Sequence, residues 1–247
     1  MATSPIPAWS APVVAVMRRL AKAIEGLEEP AVEKIAKDQK DDPFQVLIAT
    51  VLSAQTRDAV TAAASSRLFR VARTPRAMAK LPVSRIQDLI YPVSFYRHKA
   101  VHVRQTCEQI LSRYGGAVPS TMAELLTLAG VGRKTANLVL ILAHASRDNI
   151  CVDTHVHRIA NRLGWVTTRT PEETERELYS VTGRKWWPFI NLYLVTWGQN
   201  VCRPVYPLCP QCVLADICPK VGVRRMGRRP RSSAHGTPQR VKSRTQR

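Results

Sequence analysis

Cys202, Cys209, Cys212 and Cys218 stand in the spacing C-x6-C-x2-C-x5-C, four thiols within 17 residues. No other feature restricts the fold as much, because so short a loop must wrap its sulfurs around one compact object. Structural zinc sites use two close Cys or Cys/His pairs, and here only Cys209 and Cys212 form such a pair. A [4Fe–4S] cube held by four separate thiolates suits the spacing better than zinc, and disulfides come third. The other two cysteines, Cys107 and Cys151, are scattered, whereas a disulfide scaffold is shorter and denser in Cys. No export signal is expected, since Ala11–Met17 is a short apolar run followed by its charges rather than preceded by them. Clustered thiols without such a signal read as metal ligands in a reducing compartment.

Charge adds a partner. The 37 Lys and Arg face 18 Asp and Glu, for a net +19. From Pro219 onward there are ten Lys/Arg and no acid, which leaves +9 on residues 1–218. The excess survives without the tail, and a polyanion, most often nucleic acid, is the partner that such a balance implies. A membrane is not expected, because the longest apolar run, Leu138–Ala143, is too short to span one.

The patterning is helical throughout. Asp42-Pro43 is an N-cap with a first-turn proline ahead of the apolar stretch Phe44–Leu52. Thr121-Met-Ala-Glu124 and Thr170-Pro-Glu-Glu173 have the form of capping boxes. Pro188 opens Phe189–Trp197, and Gly198 stands where a C-terminal cap belongs. Two-residue alternation bounded by turn pairs is absent. The expectation is an all-α chain of nine or ten helices, with residues 1–15 flexible and 219–247 a disordered basic tail.

Leu128-Ala-Gly130-Val131-Gly132-Arg133-Lys134-Thr-Ala-Asn137 lies between two helical stretches. It is not a Walker A loop, since Arg133 rather than Gly precedes the Lys. It is not a dinucleotide fingerprint either, since Thr135 occupies the third glycine position. A helix–hairpin–helix remains: two glycines make a tight turn and leave backbone N–H groups at a helix start, where a DNA phosphate can sit. A plain glycine turn between packed helices is the other reading. Lys134 lies in the first helical turn, where the dipole and Arg133 disfavour its charged form, as a nucleophilic amine requires. A surface Lys contacting phosphate is the competing role.

Val152-Asp153-Thr-His155-Val-His157 begins a further helix. Asp153 is a good N-cap, and it can also be a carboxylate facing Lys134. A helix of about 13 residues travels roughly 18 Å, and the seven residues 146–152 can return up to roughly 23 Å. His155 and His157 fit polar surface or base contacts better than a metal pair.

These motifs together, with Leu52-Ser-Ala-Gln55, resemble the endonuclease III family of helix–hairpin–helix DNA glycosylases, from about residue 16 to 218. The resemblance implies two helical domains with the DNA cleft between them. One is a six-helix barrel at 36–147. The other, a [4Fe–4S] domain, combines 16–35 with 148–218. It gives Lys134 the role of nucleophile, Asp153 that of catalytic aspartate, and the four clustered cysteines that of cluster ligands. Gln55 matches the residue that fills the gap left by the flipped nucleotide, and Phe95 takes the place of a wedge leucine. Arg57, Gly130, Val131, Gly132, Arg133 and His155 complete the implied DNA contacts. Three positions depart from the pattern. Ala129 replaces the hairpin proline, which should loosen the turn. Phe95 replaces leucine, and Arg57 replaces a small residue near the damaged base.

The activity implied is a bifunctional glycosylase and AP lyase. It acts as a monomer on oxidised pyrimidines or abasic sites in double-stranded DNA and cuts 3′ to the abasic site by β-elimination. A monofunctional adenine glycosylase fits less well, given Lys134 and the lack of a domain after Cys218. A silent DNA-binding paralogue is disfavoured by the intact Lys134–Asp153 pair. The compartment would be the cytoplasm beside the nucleoid in a bacterium, and the nucleus or mitochondrion in a eukaryote.

Overall fold

Local start signals set much of the helical framework. The computed structural model describes residues 10–40 and 42–227. Along them run α1 (Val13–Ala23), α2 (Ala31–Asp38), α3 (Pro43–Ser53), α4 (Asp58–Val71), α5 (Pro75–Ala79) and α6 (Val83–Ile90). Then follow α7 (Tyr96–Arg113), α8 (Met122–Leu125), α9 (Arg133–Ala143), α10 (Thr154–Arg162), α11 (Pro171–Val181) and α12 (Trp187–Asn200). Among the described residues there is no strand, and no helix is long and apolar enough to cross a membrane. Among the described residues the α-helices number twelve rather than nine or ten, because α5 and α8, with 5 and 4 residues, are too short to show a period.

Asp42 caps α3 by accepting from the Gln45 amide at 2.8 Å, and Pro43 fills the first turn. Thr170 and Glu173 form a complete capping box on α11. At α8 only half of one forms: Thr121 accepts from the Glu124 amide, but the Glu124 carboxylate takes the Thr121 hydroxyl at 2.6 Å instead of its backbone N–H. Caps of this kind contribute about 1 kcal/mol each. Gly198 does not end its helix. It lies inside α12, and a Cβ there would come 2.5 Å from His155 Nδ1. Close packing of α10 on α12, not a C-cap, is what requires glycine.

Two apolar cores organise the chain. Phe44 to Leu52 are all buried, so α3 has no solvent face, and it packs among α2, α4, α7 and α9. This core draws on residues from Ile35 to Leu140. Burying one such Leu contributes about 1.5–3 kcal/mol, and Leu52→Ala would cost about 2–5 kcal/mol. The second core takes residues from both ends of the fold, Ala11–Leu20 and Ile150–Leu214, with α1 lying against α12. A small third cluster of Val32, Leu138 and Cys151 lies beside the candidate site.

Structure extends beyond the limits set by composition. Residue 11 belongs to the segment expected to be flexible, yet Ala11 is buried, donates to Leu163 O at 2.9 Å and accepts from Trp165 Nε1 at 2.8 Å. Residues 1–9 lie outside the described residues. Likewise Val221 donates to Arg162 O at 3.1 Å and Gly227 to Pro207 O at 2.9 Å, so the start of the expected tail is tied to the cysteine loop. Residues 228–247 lie outside the described residues.

Candidate active site

The turn at 128–132 joins α8 to α9. Gly130 has φ 73°, in the left-handed region, and a Cβ on it would stand 2.9 Å from His102 Nδ1. Val131 is buried and anchors the tip, while Gly132 is exposed and precedes α9 without a capping side chain. The first amides of α9 thus keep their capacity to bind an anion. Ala129 has a use that proline could not serve. Its N–H donates to Gln109 Oε1 at 2.8 Å, and its carbonyl accepts from Thr106 Oγ1 at 2.7 Å. The N–H bond to Gln109, which proline could not make, offsets the loosening expected from the loss of proline.

Lys134 is partly buried in the first turn of α9. Arg133 beside it is committed elsewhere: its guanidinium grips the buried Glu175 carboxylate at 2.6 and 3.2 Å, tying α11 to the hairpin. The Asp153 Oδ1 accepts from the amides of His155 and Val156, both at 2.8 Å. The capping role is therefore filled by one carboxylate oxygen. The approach to it is pinned by Asn191 Nδ2 on Cys151 O and by the Ile150 amide on the Tyr179 hydroxyl, both at 3.1 Å. Cys151 Sγ is 3.5 Å from the Lys134 carbonyl oxygen. The charges of Lys134 and Asp153 both act on Cys151 and on buried Glu33, so the return of the chain brings the two residues to shared neighbours. His155 is half-buried against Gly198 and Arg158, and burial lowers its pKa. His157 is bound to Thr174 Oγ1 at 2.7 Å.

Gln55 and Phe95 share a rare backbone state, with φ of 53° and 55°. Both are exposed, Phe95 at 63%. Their loops touch through the Ser94 amide, which donates to Thr56 Oγ1 at 3.3 Å. Arg57 is exposed at the N-cap of α4.

Cys202, Cys209, Cys212 and Cys218 all line one cavity, closed by Ile159, Leu163, Trp197 and Leu214. None of the six cysteines is in a disulfide. Among the described residues no three His, Cys, Asp or Glu gather closely enough to hold a metal ion. Four unpaired thiols lining one cavity are donors of the chemistry that an iron–sulfur cluster takes. Arg162 Nη1 lies 3.3 Å from Cys202 Sγ, the Leu214 amide donates to Cys212 Sγ at 3.4 Å, and the Trp197 indole N–H is buried without a close acceptor beside Cys212. Such N–H groups stabilise cluster sulfurs. Burial pushes the free Cys209, Cys212 and Cys218 thiols up, and neighbouring thiols add to it.

Residues 48–184 match the HhH-GPD superfamily of base excision DNA repair proteins. Endonuclease III of Thermotoga maritima is 46% identical over 196 residues, covering 79% of this chain and 92% of its own. The chain belongs to the endonuclease III family. Endonuclease III-like protein 1 of Gallus gallus is 44% identical over 178 residues, covering 71% of this chain and 63% of its own. A non-covalent endonuclease III–DNA complex superposes with a TM-score of 0.75 at 32% identity, covering 84% of this chain and 94% of that one. A trapped endonuclease III–DNA covalent intermediate does so with 0.68 at 34%, covering 77% and 93%. The chain is accordingly a DNA-binding base-excision repair enzyme, a DNA glycosylase and AP lyase.

Three groups near this site carry no local signal in the sequence. Glu33, in the first turn of α2, is 4% exposed. Burial pushes its carboxyl up to about 7, against its own backbone amide and Lys134, with Asp58 and Asp153 adding to the push. Asp58 Oδ2 accepts from the Ala31 amide at 3.0 Å and from Gln199 Nε2 at 3.1 Å, joining α2, α4 and α12. Lys99 is a buried ammonium on α7. Only long-range packing identifies these three, and no local motif marks them.

Proposed function

We propose that this member of the family removes oxidised pyrimidines from duplex DNA and cuts the strand 3′ to the resulting abasic site through a Lys134 Schiff base. The observation that carries the reading is the contact of Cys151 Sγ with the Lys134 carbonyl oxygen at 3.5 Å, which brings the start of α9, with Lys134, beside the residue two positions before Asp153 at the start of α10. The trapped covalent intermediate formed by a relative supports it.

The damaged nucleotide leaves the stack. Phe95 unstacks the step and Gln55 fills the gap, both presented by left-handed residues at exposed loop tips. As the glycosidic bond breaks, the sugar gains positive charge, as in glycoside hydrolysis. The ionised Asp153 stabilises that charge. Its Oδ1 is held by two amides, so the carboxylate is fixed in place. Lys134, as the neutral amine, donates its electron pair to C1′ and the base departs with the bond pair. The amine then gives up a proton and the C1′–O4′ bond opens, the ring oxygen taking a proton and staying on C4′ as a hydroxyl, which leaves the C1′=N iminium on Lys134. The iminium acidifies the C2′ proton, and removal of that proton expels the 3′ phosphate. Water then hydrolyses the imine and frees Lys134. The uncapped first amides of α9 hold a backbone phosphate, and Arg57 and His155 flank the lesion.

Cys202, Cys209, Cys212 and Cys218 would hold the [4Fe–4S] cluster. When bound, it supplies a rigid four-thiolate anchor for the 202–218 loop rather than bond-breaking chemistry. The two cores support a division near 36–147 and 16–35 plus 148–218, and the proposed working form is a monomer. The test is a duplex carrying one thymine glycol, compared with one carrying adenine opposite 8-oxoguanine. Strand cleavage at thymine glycol, leaving an unsaturated aldehyde and a 5′ phosphate, is expected. Adenine release without strand cleavage would overturn the reading.

A further inference from the structure

Lys99 lies one turn into α7, and its amide donates to the Phe95 carbonyl at 3.0 Å. Its side chain crosses to the other loop. Nζ donates to Leu52 O at 2.8 Å, to Ala54 O at 2.5 Å and to Thr56 Oγ1 at 3.1 Å. An ammonium has three N–H bonds, and all are used. Leu52 and Ala54 lie at the C-terminal end of α3, where carbonyls lack helical partners and the dipole is negative. Two of these acceptors, Ala54 and Thr56, flank Gln55. Thr56 Oγ1 also takes the Ser94 amide at 3.3 Å, and Ser94 precedes Phe95.

The cation is 7% exposed, and none of the ion pairs among the described residues includes it. Burial pushes its pKa down to about 8. A methionine of the same length would fill this space without burying charge. Left-handed residues other than glycine persist only where the surroundings hold them. Through Thr56 Oγ1, the Lys99 ammonium and the Ser94 amide tie the segment around Gln55 to the segment around Phe95.

We infer that Lys99 is a positioning residue for nucleotide extrusion: with Thr56 it fastens the Gln55 and Phe95 loops into one unit, so that gap-filler and wedge enter the duplex together. This rests on the reading that those two side chains enter DNA. Without the fastening each loop would move alone, and insertion rather than bond breaking would suffer. An abasic site in single-stranded DNA needs no extrusion, so its cleavage should not depend on Lys99.

The experiment compares Lys99→Met and Thr56→Val with wild type, after thermal melting has shown which are folded. Single-turnover cleavage is measured on a thymine glycol duplex and on a single-stranded abasic oligonucleotide. The duplex rate should fall at least ~10-fold, since a misplacement of ~1 Å can cost ~100-fold, while the single-strand rate stays near wild type. If Lys99→Met does not fold, Thr56→Val decides, because it removes the shared hydroxyl and keeps the ammonium on both carbonyls. A folded Thr56→Val protein with the wild-type duplex rate, or with equal losses on both substrates, would overturn the inference. Failure of wild type to form a borohydride-stable adduct on the single strand would instead count against the Schiff base.

Discussion

Replacing Glu33 with Gln should stabilise the protein at alkaline pH and leave its stability in acid nearly unchanged. The folded protein holds this carboxyl at about 7, against an ordinary 4.5. Between those values the native state binds a proton that the unfolded chain has released, so stability falls as pH rises through the interval. Below the ordinary value both states are protonated and the site costs little. Above about 7 the buried carboxylate is ionised, and the gap of about 2.5 pH units corresponds to about 3 kcal/mol. Glutamine removes the charge but still buries an amide, so the net gain at pH 8 should be about 1–3 kcal/mol. Urea unfolding at pH 5 and pH 8 measures it. A variant that is equally stable relative to wild type at both pH values, or less stable at pH 8, would refute the claim that desolvation dominates over the attraction of Lys134.

Three further outcomes follow from the site. Asp153→Asn should melt close to wild type, since Asn caps about as well. Its single-turnover excision should fall at least ~100-fold, and near-normal excision by the stable variant would leave Asp153 a cap and nothing more. Protein prepared anaerobically from iron-replete cells should be yellow-brown with about four irons per chain. A colourless protein with one zinc would contradict the cluster assignment. Deleting residues 228–247 removes seven Lys/Arg and should flatten the salt dependence of DNA binding, because fewer counterions are released, without slowing single-turnover excision. Slower excision with an unchanged salt slope would show that the segment acts on the cleft.

The elements most legible in the sequence are those fixed locally. Asp42-Pro43 and Thr170–Glu173 carry their caps within one turn. Gly130 carries its own conformational reason, and Cys202–Cys218 form a single short loop. Gly198 was misplaced because the sequence shows a glycine after an apolar run but not the His155 ring that packs on it. Arg133 reads as a phosphate contact, yet it is held by Glu175, 42 positions away. Glu33 and Lys99 are ordinary surface types by composition. Glu33 is buried where α2 packs against α3, α4 and α9, and Lys99 where α7 meets the C-terminal end of α3, and no spacing rule reaches either.

The central claim is that Lys134 becomes covalently joined to the sugar. Wild-type protein should be trapped by borohydride on a thymine glycol duplex, and peptide mapping of the adduct by mass spectrometry should place the bond on Lys134. Lys134→Gln should bind the same DNA and yield no adduct. An adduct on another residue, or undiminished trapping by Lys134→Gln, would contradict the account.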